Sequence, residues 1–125
     1  MAKTLPARTA IKAELERLCG RVFFDHAEFT GKPVYPYLIF MLEEVSYSDG
    51  MTLCELEVNA VDYGKSTSRC ESLCDEVQRA FRGFLHLDDE IEFAAYQDRR
   101  QTVPEEDRNI IRRRMTFEVR LHERS

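Results

Sequence analysis

The residues of this chain with the greatest chemical potential are its four cysteines, three histidines and several carboxylate pairs. Cys70 and Cys74 stand four apart, one helical turn, a spacing at which two thiolates can share a metal. The rest of a metal site is missing from the pattern. There is no Cys-x-x-Cys pair, and no histidine stands at zinc-finger spacing from them. Both also fall on an apolar stripe with Leu73, Val77, Ala80, Phe81 and Phe84, where cysteine packs as a small hydrophobe. Cys54 lies on the inward series of a strand and reads the same way. His86-Leu87-Asp88-Asp89 holds donors for a divalent ion, but its place between a helix and a strand favours a polar turn. His26 and His122 have no nucleophile pattern near them. No Gly-x-Ser-x-Gly elbow, phosphate loop or dinucleotide fingerprint occurs. Glu43-Glu44 and Glu55/Glu57 sit on wet strand faces, where nothing raises a carboxyl pKa toward that of a general acid. The expectation is a protein that is not an enzyme and uses no cofactor and no metal.

What remains is a set of charged residues suited to binding. Asp98 to Asn109 reads as a polar loop around Pro104, long for a hairpin connection, and long loops are often functional or disordered. Its Asp98, Arg99, Arg100, Glu105, Glu106, Asp107 and Arg108 suit a contact loop. A solvated loop is the plainer reading. Arg112-Arg113-Arg114 is the densest basic run, yet on a strand its members alternate sides, which makes a poor phosphate track. Arg112, Arg114 and Arg120 share one outward face with Thr116 and Glu118, either a solvated sheet surface or a polar subunit interface. His26 to Pro36, with Gly31 and Pro33, is a further surface loop.

The elements that must position these residues follow from periodicity. Ile11, Leu15 and Leu18 predict a helix from Thr9, as its cap, to a stop at Gly20, with residues 1–8 flexible. Val22 to Phe24 is a short strand. Tyr37 to Val45 and Met51 to Tyr63 alternate as strands joined by Ser48-Asp49-Gly50, a hairpin signal. Lys65 to Phe84 is the strongest helix, with Ser68 and Glu71 placed for a capping box. Glu90 to Tyr96 and Ile110 to Glu123 complete the strands; Met115, Phe117, Val119 and Leu121 face inward. The predicted fold is α+β: one mixed or antiparallel sheet of about five strands with two helices packed on one face, in the order α-β-β-β-α-β-β.

Bulk properties agree with one domain over residues 1–125. A chain of 125 residues buries enough surface for a core without staples. With only 9 Gly plus Pro and 43% hydrophobic residues, disorder of the body is excluded. The net charge of −5 argues against nucleic-acid specificity. That charge is segregated: residues 43–90 carry 12 acidic and 4 basic groups, whereas 91–125 carry 7 and 8. An acidic middle beside a basic end suits docking of one copy on the next, or simply a solvated surface. The longest nearly apolar run, Val34 to Leu42, is broken by Pro36 and is too short to span a bilayer. No apolar leader opens the chain, so assembly in a cytoplasm with reduced thiols is expected.

Over about residues 9–122 the layout resembles the tail-terminator (tail-completion) proteins of long-tailed bacteriophages and prophages. The features that carry it are a short helix running into Gly20-Arg21-Val22-Phe23-Phe24, then Tyr35-Pro36-Tyr37-Leu38-Ile39-Phe40. The hairpin with Leu56-Glu57-Val58-Asn59-Ala60-Val61-Asp62-Tyr63 follows, then the helix from Ser66 to Phe84 and the closing strand. The resemblance implies a homohexameric ring in the virion tail that caps the tail tube, stops polymerisation of the tail-tube protein and meets the head-completion or neck protein. It implies no catalytic residue and no membrane. Two other readings stay open: another phage or contractile-injection part, such as a head-tail connector or sheath cap, and a small ligand-binding α+β domain.

Overall fold

A computed structural model describes residues 4–124, apart from the side chains of Gln97 and Asp98. The chain runs α1 (Thr4–Leu18), β1 (Val22–Phe24), β2 (Tyr37–Ser48), β3 (Met51–Tyr63), α2 (Ser68–Phe81), β4 (Leu85–Leu87), β5 (Ile91–Thr102) and β6 (Ile110–Glu123). The strands form one six-stranded sheet in the order β1-β2-β3-β6-β5-β4. The sheet is mixed, because β1 pairs parallel to β2 while every other neighbour is antiparallel.

The α+β class and the single sheet with two helices on one face agree with the sequence reading. Three details differ. First, there are six strands rather than about five and the order is α-β-β-β-α-β-β-β rather than α-β-β-β-α-β-β, since Leu85–Leu87 pairs with Glu92–Ala94. The added strand falls where His86-Leu87-Asp88-Asp89 reads as a polar turn, so no strand is expected there. Second, α1 starts at Thr4, so residues 4–8 are helical rather than flexible, and residues 1–3 lie outside the described residues. Pro6 sits in the first turn, where an N–H has no helical carbonyl to meet. Thr9 is therefore inside the helix, its Oγ1 donating to the Leu5 carbonyl at 3.1 Å. Third, α2 is shorter than Lys65–Phe84. It stops at Phe81 because Gly83 takes a left-handed φ of 74°, a common helix exit. The Ser68/Glu71 capping box does not form; Thr67 precedes the first turn without a side-chain cap, and Glu71 turns toward two arginines instead.

The hairpin reading holds. Asp49 and Gly50 both have positive φ, 52° and 81°, which matches the twist of a tight two-residue turn. Beyond it, Cys54↔Val119, Leu56↔Phe117 and Val58↔Met115 stand opposite each other on the helix-covered face. They pack with Ile11 and Leu15 of α1 and Cys70, Cys74, Val77 and Phe81 of α2 in one buried core. The four cysteines are free and buried, and burial pushes the Cys54 thiol up to about 11. As read from the sequence, Cys54, Cys70 and Cys74 pack in the apolar core, and Cys19 joins them there.

Candidate interaction surface

The opposite face of the sheet carries no helix. Strand alternation brings to it Glu55, Glu57 and Asn59 of β3, and Arg112, Arg114, Thr116, Glu118 and Arg120 of β6, in cross-strand register. These groups hold one another. Arg112 Nε donates to Asn59 Oδ1 at 3.0 Å, and Asn59 Nδ2 donates to Glu57 Oε2 at 2.8 Å. The Arg112 Nη1 lies 3.6 Å from Glu105 Oε1, which ties the loop after β5 to the face. Arg114 Nε is buried 3.5 Å from Glu57 Oε1, an ion-pair distance without a hydrogen bond. At the far end Arg120 donates to Glu118 at 2.7 Å, and its guanidinium lies 4.7 Å above the Tyr96 ring.

Between these ends the face hollows into a groove of about 430 Å³, lined by Val45, Leu53, Glu55, Tyr96, Thr116 and Arg120 among others. Val45 and Tyr96 are exposed there. Toward the start of β2 the same face is covered by rings. Phe23, Phe29 and Tyr37 pack edge to face at 5.0–5.9 Å, and Tyr35 bridges Tyr37 and Tyr63. The sequence-predicted loop from His26 to Pro36 is therefore anchored to the sheet. Arg21 secures it further, donating to the Pro36 and Tyr35 carbonyls at 3.0 and 3.4 Å.

The charged residues singled out in the sequence divide into three groups. Arg112, Arg114 and Arg120 share the helix-free face as expected, and Arg99 joins them by its register with Thr116. Arg100 does not. The ladder shifts between Gln97 and Arg99, and this bulge turns Arg100 to the helix-covered side. There it donates to Asp75 Oδ1 and Glu71 Oε1, each at 2.8 Å, and to Gln78 Oε1 at 3.0 Å. Arg113 reaches the same Glu71 at 3.0 Å. The hydrogen bond from Arg100, with Arg113 adding to it, holds the Glu71 carboxyl below the usual carboxylate range. The third group is the loop itself, which is shorter than Asp98 to Asn109 because β5 continues to Thr102. Its second half lacks apolar alternation since Arg100 covers the polar flank of α2 rather than the core. Glu106 and Arg108 are exposed on the true loop, and Asp107 accepts the Asn109 amide at 2.9 Å to turn it. The Asp98 side chain lies outside those described.

Sequence reasoning missed Val45, Leu53 and Tyr96 as surface-forming residues. It also missed Leu85 and Leu87, exposed on the added edge strand. Their signal was apolar residues on otherwise polar stretches. His86 and Asp88, weighed as metal donors, meet at 2.8 Å. Asp88 Oδ1 also accepts the Glu90 and Ile91 amides at 2.7 and 2.9 Å. His86 first, then these amides, hold the Asp88 carboxyl down to about 2. Asp88 and Asp89 turn the chain as first read, while His86 and Leu87 belong to β4. Among the described residues no three His, Cys, Asp or Glu side chains gather as a metal site. Among the described residues no helix is long and apolar enough to cross a membrane.

No family model and no curated protein matches this chain. A solved structure does: a chain from the virion of a native gene transfer agent (GTA) particle superposes with a TM-score of 0.66. The two share 16% identity, over 86% of this chain and 84% of that one. At that identity the likeness shows the fold. This chain shares that virion chain's fold over most of its length.

Proposed function

We propose that this protein is a structural component of a phage-type virion, and within it a tail terminator. It assembles as a homohexameric ring on the head-proximal end of the tail tube, stops addition of tail-tube protein and presents a surface to the head-completion protein. The observation that supports the virion role is the superposition, over 86% of this chain, on a chain from the virion of a gene transfer agent particle. The finer reading draws on the tail-terminator layout of the sequence and on the helix-free face, whose Arg112, Arg114, Arg120, Glu57 and Glu118 mix both signs of charge as polar subunit interfaces do. It works by binding alone, without catalysis, cofactor or nucleic-acid specificity. Assembly takes place in the bacterial host cytoplasm, and the mature location is the virion tail.

The test is mass and place. Light scattering during size exclusion is expected to give six times the 14.7 kDa chain mass. Electron microscopy of tail tubes mixed with tagged protein is expected to show label at one end only. Label along the tube wall, or on the head vertex without the tube, would replace the tail-terminator reading by a sheath or connector role.

A further inference from the structure

Each side of the sheet is half closed. On one side β1 pairs only with Leu38–Phe40, leaving Met41–Ser48 of β2 open. On the other, β4 pairs only with Glu92–Ala94, and the Ala95 amide is taken by the Phe84 carbonyl at 2.9 Å, leaving Tyr96–Thr102 of β5 open. The ladders place these halves at opposite ends. Leu38↔Ala60, Ala60↔Arg113 and Arg113↔Thr102 set β1 level with the open half of β5. Ser46↔Leu53, Leu53↔Arg120 and Arg120↔Ala94 set β4 level with the open half of β2.

We infer that a second copy of this chain fills each open half, the two short strands sharing one row of a sheet that continues from copy to copy. This rests on the ring reading above and names its contact. With copies side by side and the same way up, β4 of one lies along Ser46–Ser48 of the next, and β1 of the next lies along Arg100–Thr102 of the first. Strand polarity makes the first junction parallel and the second antiparallel, both able to form ladders.

Side chains support the same neighbour. Leu85 and Leu87 are 72% and 59% exposed, and their partners Ala94 and Glu92 put them on the helix-free face. Val45, 60% exposed on that face, stands at the edge they would meet. Glu43 stands directly opposite Glu55, a like-charge pair with no cationic partner among the described residues. Across the shared row the ladders set Glu43 level with Tyr96 of the neighbouring copy, and Met41 level with its Arg99. Each open half is level with the short strand of the opposite edge, so the fit is a heterologous contact, the type that closes rings.

The test uses Leu85→Cys with Ser46→Cys in the full chain, oxidised mildly and run without reductant, with light scattering on the same sample. A ladder of linked copies from the double variant, and none from either single, is the expected result. Linked dimers from a single variant would overturn the inference, because they require identical edges. Assembled protein without a ladder would overturn this edge and leave the ring standing. A single-copy preparation is cross-linked on tail-tube ends instead: tubes that bind protein without a ladder sink the edge alone, and tubes that bind none sink the ring reading with it. As a second variant, Leu85→Asp with Leu87→Asp is expected to keep its thermal midpoint and lose assembly; assembly unchanged would count against β4.

Discussion

The two faces of this sheet are made from the same strands yet are held by different physics. On the helix-covered face, Leu56, Val58, Met115, Phe117 and Val119 are fully buried and held by apolar area removed from water. On the other face the intervening residues Glu57, Asn59, Arg112 and Arg114 are held by directional contacts to one another. Hydrophobic burial is additive and strong, whereas exposed ion pairs contribute little. The first face therefore sets whether the chain folds. The second can vary its exposed charges, such as Glu118 and Arg120, at small cost to folding, which leaves that part available for binding.

The largest break in that comparison comes from adjacent residues on opposite faces. Phe117 is fully buried against Phe81, their centroids 5.6 Å apart. Phe117→Ala is expected to lower unfolding free energy by about 3–5 kcal/mol, through lost transfer energy and the cavity left behind. Glu118→Ala, one residue on, removes a surface partner of Arg120 and is expected to cost about 0–1 kcal/mol. Urea titrations of the two variants check this; equal costs would mean that the helix-free face is already a folded interior.

Glu71 sharpens the comparison, because it is a polar clamp on the apolar side. Its carboxylate joins α2 to Arg100 of β5 and Arg113 of β6. Glu71→Gln is expected to cost about 1–2 kcal/mol near neutral pH, less than a buried charged pair since the side chain is partly exposed. The folded pKa lies below the unfolded value of about 4.3. The clamp therefore stabilises above that value, and its contribution falls away as pH drops through the folded pKa. The gap in thermal midpoint between wild type and Glu71→Gln should close on acidification; a gap that persists at low pH would place the effect in packing.

The same contrast explains what could be read in advance. Where residues alternate cleanly, as in Cys54-Glu55-Leu56-Glu57-Val58, the strand and its inward face followed from the pattern, and so did the apolar stripe of α2. The second half of β5 did not, because an edge strand with a bulge and an inward-facing arginine has no apolar period to detect. The helix-free face was half legible: Arg112, Arg114 and Arg120 share it, while Arg100 needed the bulge to be placed. Strand order, and with it the two half-open edges, depends on contacts far apart in sequence that periodicity does not encode.

The smallest expected effect on stability tests the comparison from the binding side. Arg120 is half exposed, pairs with Glu118 and lies over Tyr96 at the rim of the groove. An exposed pair and an exposed cation–π contact each contribute under about 1 kcal/mol, and the freed side chains regain rotamer entropy. Arg120→Ala should therefore shift unfolding free energy by less than about 1 kcal/mol. If the helix-free face is used in assembly, the same variant should still weaken association, and the loss should shrink in wild type as salt is raised, since screening removes what the arginine supplies. Size-exclusion mass against protein and salt concentration measures this. Stability and association falling together would show that the two faces are not separable.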